Sequence, residues 1–342
     1  MAIIDKPSDY FNTVLYTGNG AVRDIVTGHA TDLAWLKVRN TTGDHYLFDS
    51  VRGTNNYIRS NRTDAEGTLS GTLTSFNSDG YSLGTTNATN TSGETQVGWS
   101  WVAGGAASSN TDGSITSSVS ANTDAGFSIV SYTSNGTSGA TIGHGLGVAP
   151  SMIIMKNRSW DTNWFVYHQA TGNTGELRLN STSAFVTDST MLNNTTPSSS
   201  LITLGNNYNT NFGSGYTYIA YCFADVQGYS KFGSYTGNGS TDGTFVYLGF
   251  KPAFVLIKKT SGVEDWYMFD NKRDSFNIVG QQLSANTSAA EGDNQDILDF
   301  LSNGFKLKTT KARTNESGAN YIFMCFAESP FTTSTGVPAC AR

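Results

Sequence analysis

Phe254-Val255-Leu256-Ile257-Lys258, with Trp266-Tyr267-Met268-Phe269-Asp270 after it, is a pair of apolar runs that this chain carries three times. The first copy is Leu33-Ala34-Trp35-Leu36-Lys37 with His45-Tyr46-Leu47-Phe48-Asp49, and the second is Met152-Ile153-Ile154-Met155-Lys156 with Trp164-Phe165-Val166-Tyr167-His168. From the lysine to the last residue of the second run is 12 residues in every copy. Further motifs recur around the pair. Each copy is preceded by a tyrosine turn: Tyr16-Thr17-Gly18-Asn19-Gly20, Tyr132-Thr133-Ser134-Asn135-Gly136 and Tyr235-Thr236-Gly237-Asn238-Gly239. Each is closed by an aromatic run ending in Ala103, Ala224 or Ala327, at 87, 92 and 92 residues from the tyrosine. Agreement across four separate motifs identifies an internal repeat.

Short apolar runs separated by Gly, Asn, Ser and Thr predict an all-β chain. Asn-Gly marks a tight turn, since both residues tolerate positive φ. The lysine-ended run is apolar on both faces, so its strand is expected to be central and covered on each side. Pro150 and Pro252 stand just before it, acceptable at a strand's start. The following strand alternates. Tyr46/Phe48, Phe165/Tyr167 and Tyr267/Phe269 make one aromatic face. A unit of about 95 residues with several short strands fits an antiparallel β-sandwich of jelly-roll type, and three such modules in tandem are expected, each its own fold.

The expected boundaries are a lead-in at 1–10, a first module at 11–105, a linker at 106–125, a second module at 126–226, a third at 227–331 and a tail at 332–342. The 104–125 segment reads either as a linker or as an edge strand built on Ile115 and Val119. In the third repeat, Asp296-Ile297-Leu298-Asp299-Phe300-Leu301 reads as one or two helical turns closed by Gly304.

Composition narrows the function. Charged residues are 14% of the chain, against roughly 25% in an average soluble protein. With a net charge of −6 and no dense Lys/Arg cluster, nucleic acid is not an expected partner. No apolar run approaches the ~20 residues that span a bilayer, and no signal peptide is read at Met1 to Pro7. Cys222 and Cys325 occupy equivalent repeat positions and read as separate core thiols; Cys340 lies in the tail.

No catalytic, cofactor or metal site is expected. Lys37, Lys156 and Lys258 read as strand-end lysines whose stems cover apolar surface while their heads reach water. Asp49 and Asp270 align with His168, an exchange that a solvated face accepts and a general base does not. His29, His45, His144 and His168 fit no zinc spacing. Gly143-His144-Gly145-Leu146-Gly147 lacks the helix that a phosphate loop requires and reads as a turn before Met152. Asp293-Asn294-Gln295-Asp296 with Asp299 is no EF-hand loop and reads as an acidic helix start. The repeated aromatics read as core. Asn206, Asn207, Tyr208 and Asn209 remain as the candidate surface contact for a glycan.

Several of these stretches also resemble a known family. Asp49-Ser50-Val51-Arg52-Gly53, the run Leu73 to Gly84, Ser92-Gly93-Glu94-Thr95, the run His144 to Pro150, Tyr229 to Gly239, Phe300 to Leu307 and the ending Phe326-Ala327-Glu328-Ser329-Pro330-Phe331 look like an uncharacterised repeat domain. That domain is common in tail-fibre-type virion proteins of marine bacteriophages. The resemblance implies a non-enzymatic virion structural protein, assembled in the bacterial cytoplasm and presenting loops to the host surface. Its expected partners are other virion proteins, a host-surface glycan and further copies of itself. A capsid decoration protein and a carbohydrate-binding module are the alternatives.

Overall fold

The computed structural model describes residues 3–338, with the side chains of residues 293–296 excepted. The chain is all-β, and its sheets are antiparallel. The only described helices are single turns: a 3-10 turn at Pro7–Asp9 and α turns at Asn87–Asn90 and Ala312–Asn315.

Each repeat builds the same four neighbouring strands. In order across the sheet they are an opening strand, the closing strand, the lysine strand and the aromatic strand. The opening strands are Phe11–Thr17, Phe127–Asn135 and Ser230–Thr236. The closing strands are Thr95–Trp101, Ser214–Phe223 and Asn320–Pro330. The lysine strands are Leu33–Val38, Met152–Asn157 and Phe250–Lys259. The aromatic strands are His45–Asp49, Phe165–His168 and Trp266–Asp270. Every residue of the first two lysine strands is buried, as a run apolar on both faces requires. Pro252 falls inside the third lysine strand, at a register shift, where a missing N–H costs the ladder least.

Alternation sorts the two faces. Leu33 and Trp35, Met152 and Ile154, and Phe254 and Leu256 point into one hydrophobic core common to all three repeats. Ala34 and Leu36, Ile153 and Met155, and Val255 and Ile257 point outward into three separate clusters, one per repeat. The interior is thus not divided among three folds. At its centre Trp101, Phe223 and Phe326, which hold the same register on their closing strands, pack against one another at centroid distances of 5.6, 6.1 and 6.4 Å.

The joints between repeats recur in a cycle. Thr162 N donates to Thr63 O (repeat two to one), Glu264 N to Thr182 O (three to two) and Gly43 N to Ser288 O (one to three). A ring nitrogen donates across each joint as well: Trp164 to Arg59 O at 2.9 Å, Trp266 to Arg178 O at 2.9 Å, and His45, where the other copies have Trp, to Ser284 O at 3.1 Å. The same contacts made three times close the repeats into a ring, the intrachain counterpart of a cyclic trimer.

Several expectations need correction. The 106–125 segment is no free linker: Ser108–Asn110 and Ser117–Asn122 extend the sheet of repeat two, with Ile115 and Val119 buried. Residues 296–301 are not helical but belong to the strand Gly292–Leu301, which pairs with Gly304–Leu307, Phe300 opposite Phe305. Cross-strand pairing overrides the local helical signal there. Gly304 is a close-approach residue, since a Cβ would lie 2.0 Å from Val246 O. Gly80 meets Ile25 O at the same distance. The helix start read at Asp293 is therefore absent, and the side chains of Asp293 to Asp296 lie outside the described residues, as does Cys340.

The lysine heads do not reach water. Lys37, Lys156 and Lys258 are at most 1% exposed. Lys156 Nζ donates to Thr162 O at 3.0 Å and across the joint to Thr63 O at 2.9 Å. Lys258 Nζ donates to Glu264 O and, across the next joint, to Thr182 O at 2.8 Å. Lys37 Nζ donates to Val38 O at 2.7 Å. Carbonyls at the seams replace the expected solvent, because a buried ammonium must be hydrogen-bonded.

Candidate functional site

A scaffold element common to the repeats places the candidate segment. Asn90, Asn211 and Asn315 are fully buried, and each binds the Asn-Gly turn of its own repeat. Asn211 Oδ1 accepts from Asn135 N at 3.1 Å, while its Nδ2 donates to Asn135 Oδ1 and Thr137 O. Asn90 and Asn315 hold Asn19 and Asn238 in the same way. The preceding threonine accepts from the turn tyrosine: Tyr16 to Thr89 O, Tyr132 to Thr210 O and Tyr235 to Thr314 O. Positive φ at Gly20, Gly136 and Gly239 completes each turn. Residues 206–209 lead into this Thr-Asn pair in repeat two.

Against that scaffold, repeat two carries four aromatic side chains in a surface cluster. Tyr208 and Phe212 stack with centroids 3.7 Å apart, and Trp160 stacks on Tyr216 at 5.5 Å. Trp160 meets Tyr208 edge-on at 5.6 Å. Trp160 and Tyr208 are 43% and 48% exposed, where the other five tryptophans are at most 3%. Beside the two rings lies a groove of about 380 Å³, lined by Asp161, Asn163, Arg178, Asp188, Asn207 and Asn209 among others.

Both rings are held from beneath by Asn157. Its Nδ2 donates to Tyr208 O at 3.2 Å, and its Oδ1 accepts from Trp160 N at 3.1 Å. Tyr218 Oη donates to the same Tyr208 carbonyl. Asn207 donates to Thr190 Oγ1 at 2.8 Å and accepts from Asn209 N. Glu176 is buried below the groove, one oxygen accepting from Arg178 at 2.6 Å and the other from Asn209 at 3.3 Å. Burial raises its carboxyl above the usual range. With both oxygens engaged, it fixes two lining residues and does not open into the groove.

The sister repeats act as an internal control. The constant spacing from the lysine places Thr41 and Gly262 where repeat two has Trp160. Counting from the buried asparagine, Asn87 and Ala312 stand in the place of Tyr208, and Thr91 and Glu316 in that of Phe212. By the closing-strand register, Glu94 and Ala319 stand in the place of Tyr216. Val38 and Lys259 likewise stand in the place of Asn157. Folding therefore proceeds without these side chains twice in the same chain. Of the four residues named from sequence, Asn207, Tyr208 and Asn209 line the groove, while Asn206 is exposed beside it. Trp160, Phe212, Tyr216 and Asn157 were missed, although a residue-by-residue comparison of the repeats exposes them.

The other candidates disperse. Phe48, Phe165, Tyr167, Tyr267 and Phe269 are buried in the outer clusters. Asp49 and Asp270 are wholly buried at joints, each paired with an arginine, Arg52 or Arg273. The solvated face expected for them is not there. The four histidines are buried and scattered. Among the described residues no group of His, Cys, Asp and Glu is arranged to hold a metal ion. No described helix is long and apolar enough to cross a membrane.

A family model described as a domain of unknown function, DUF7483, matches residues 6–330. The chain belongs to the DUF7483 family. The DUF7483 match runs through all three repeats as one unit, in keeping with a core that all three share. Comparison with curated proteins gave no match, and comparison with solved structures gave none.

Proposed function

We propose that this DUF7483 protein is a non-enzymatic bacteriophage virion structural protein of tail-fibre or adhesin type. In this reading it consists of three tandem jelly-roll-like β-sandwich modules closed into a ring, and repeat two turns its aromatic face toward the host. The carrying observation is the internal comparison: Trp160, Tyr208, Phe212 and Tyr216 cluster at the surface where both sister repeats do without them. Side chains surplus to a scaffold belong to recognition. The low charge, the cyclic joints and the resemblance to phage repeat domains support a rigid particle component.

Mass spectrometry of purified particles tests it. The chain is expected in several copies per particle, and its absence would remove the virion reading. Incubation of the pure protein with host polysaccharide is expected to leave chain length unchanged. Shortening would overturn the non-enzymatic assignment.

A further inference from the structure

We infer that the groove at Trp160 and Tyr208 is a binding site for a neutral saccharide, one per chain, a proposal that rests on the host-attachment reading above. Three observations carry it. The rings offer exposed apolar faces at a concave surface, and a volume of about 380 Å³ lies at the low end for small-molecule sites. The rest of the lining is mostly polar: three Asn amides, two Asp carboxylates, the Thr162 hydroxyl and the Arg178 guanidinium, beside Met191, supply the donors and acceptors that sugar hydroxyls require.

Charge selects within that class. Asp161 and Asp188 line the groove, and the Arg178 guanidinium is committed to Glu176 beneath it. An anionic sugar would meet two carboxylates against a single guanidinium already neutralised by Glu176, and like-charge juxtaposition disfavours it. A neutral sugar loses nothing by the same lining. One Asp161 oxygen accepts from Ala65 N at 2.8 Å, which leaves the other to accept from a hydroxyl.

The site is also built in advance. Asn157, wholly buried, holds the backbone of both ring-bearing residues through its single amide. It is a positioning residue. Its replacement should weaken binding without moving any contact to the sugar itself, since preorganisation lowers the cost of association.

The test is a calorimetric titration of the full chain and its variants, with tryptophan emission beside it for every chain that keeps Trp160, the one exposed tryptophan. The probes are neutral hexaoses of the laminari-, cello- and chito- series with dextran, against oligoalginate and oligogalacturonate. A saturable shift with at least one neutral probe, and none with the acidic ones, is expected. Trp160→Thr and Tyr208→Asn insert the residues of repeat one, so the fold is retained. Each should weaken binding roughly ten-fold or more, as should Asn157→Val. Failure of all neutral probes, equal binding of the acidic ones, or unaltered binding by Trp160→Thr and Tyr208→Asn would overturn the proposal. A chain found in particles that binds no sugar sinks this inference alone. A chain that binds sugar but is missing from particles sinks the virion reading alone.

Discussion

The Tyr221 hydroxyl donates to Asp49 Oδ2 at 2.7 Å, with both side chains out of solvent, across the joint between repeats two and one. Trp99 Nε1 makes the corresponding bond to Asp270 Oδ2 at 3.1 Å, and His168 Nε2 approaches Phe323 O at 3.3 Å. The Asp-to-His exchange that looked like surface drift is a coordinated change of partners. Asp meets a hydroxyl or an indole N–H, and His meets a carbonyl. Each joint keeps a buried polar bond at this position, because an unpaired group there would lose its hydration uncompensated.

Removing one member of such a joint should therefore be costly. Asp49 also holds Arg52, whose side chain is fully buried. Asp49→Ala strips that guanidinium of its wholly buried partner and leaves it Glu66 at 3.1 Å, so it is expected to destabilise at the lower end of about 3–5 kcal/mol. Tyr221→Phe removes the bond to Asp49 and a longer one accepted from Arg52 at 3.4 Å, strands no charge, and should cost about 1–3 kcal/mol. Urea unfolding of both variants measures the difference, and equal costs would contradict the role given to Arg52.

The central triangle predicts cooperativity. Phe326 is 1% exposed and touches Trp101 and Phe223 from the other two repeats. Phe326→Ala should cost about 3–5 kcal/mol. Fluorescence and circular dichroism should still report coincident transitions, because no repeat keeps its inner face covered alone. Separate transitions for the wild-type chain would show that the repeats fold independently.

Most of the architecture was legible because repetition amplifies weak local signals. The lysine run announced a doubly covered strand, and the alternating aromatics announced two faces. What the inner face packs against was not legible. Trp35, Ile154 and Leu256 read equally well as the core of three small folds or of one ring, since hydrophobicity does not name its partner. Residues 296–301 misled for the same reason, their strand being set by partners at Phe305 and Leu307. The lysines misled because Lys156 and Lys258 each find one of their carbonyl acceptors in the neighbouring repeat, which local sequence does not show. Tyr208 was found through its amide-rich surroundings, and Trp160 was missed because it lies 48 residues away in sequence.

Buried bases set the pH profile. Burial lowers the Lys156 ammonium to about 7 and those of Lys37 and Lys258 to about 8. The unfolded chain keeps these protons to about 10.4, so from pH 7 to 9 it binds more protons than the fold and stability rises with pH. Near pH 10 the lysine contribution ends, while buried tyrosines such as Tyr221, Tyr229 and Tyr235 and the thiols of Cys222 and Cys325, all raised by burial, hold protons that the unfolded chain gives up, and the trend reverses. On the acid side burial lowers His168 to about 4 and His45 well below its usual value. The unfolded imidazoles charge first, so stability falls from pH 6.5 toward 5. Unfolding free energies at pH 5, 7 and 9 should increase in that order, and Lys156→Met should flatten the upper step. A maximum at pH 6 would refute the assignment.

The last expectation separates recognition from scaffold within one segment. Trp160→Thr with Tyr208→Asn replaces two exposed rings by residues that repeat one carries at the same places, and it should change stability by no more than about 0.5 kcal/mol each. Asn211→Ala, three residues beyond Tyr208, removes the buried amide that donates to Asn135 Oδ1 and Thr137 O. It leaves those acceptors and Asn135 N without their partner, at a cost of about 1–3 kcal/mol. Thermal unfolding of the two variants decides between the roles. If the surface pair proved as costly as Asn211→Ala, the aromatic cluster would be a packing feature of repeat two. If it proved neutral, the rings are kept for what they contact outside the chain.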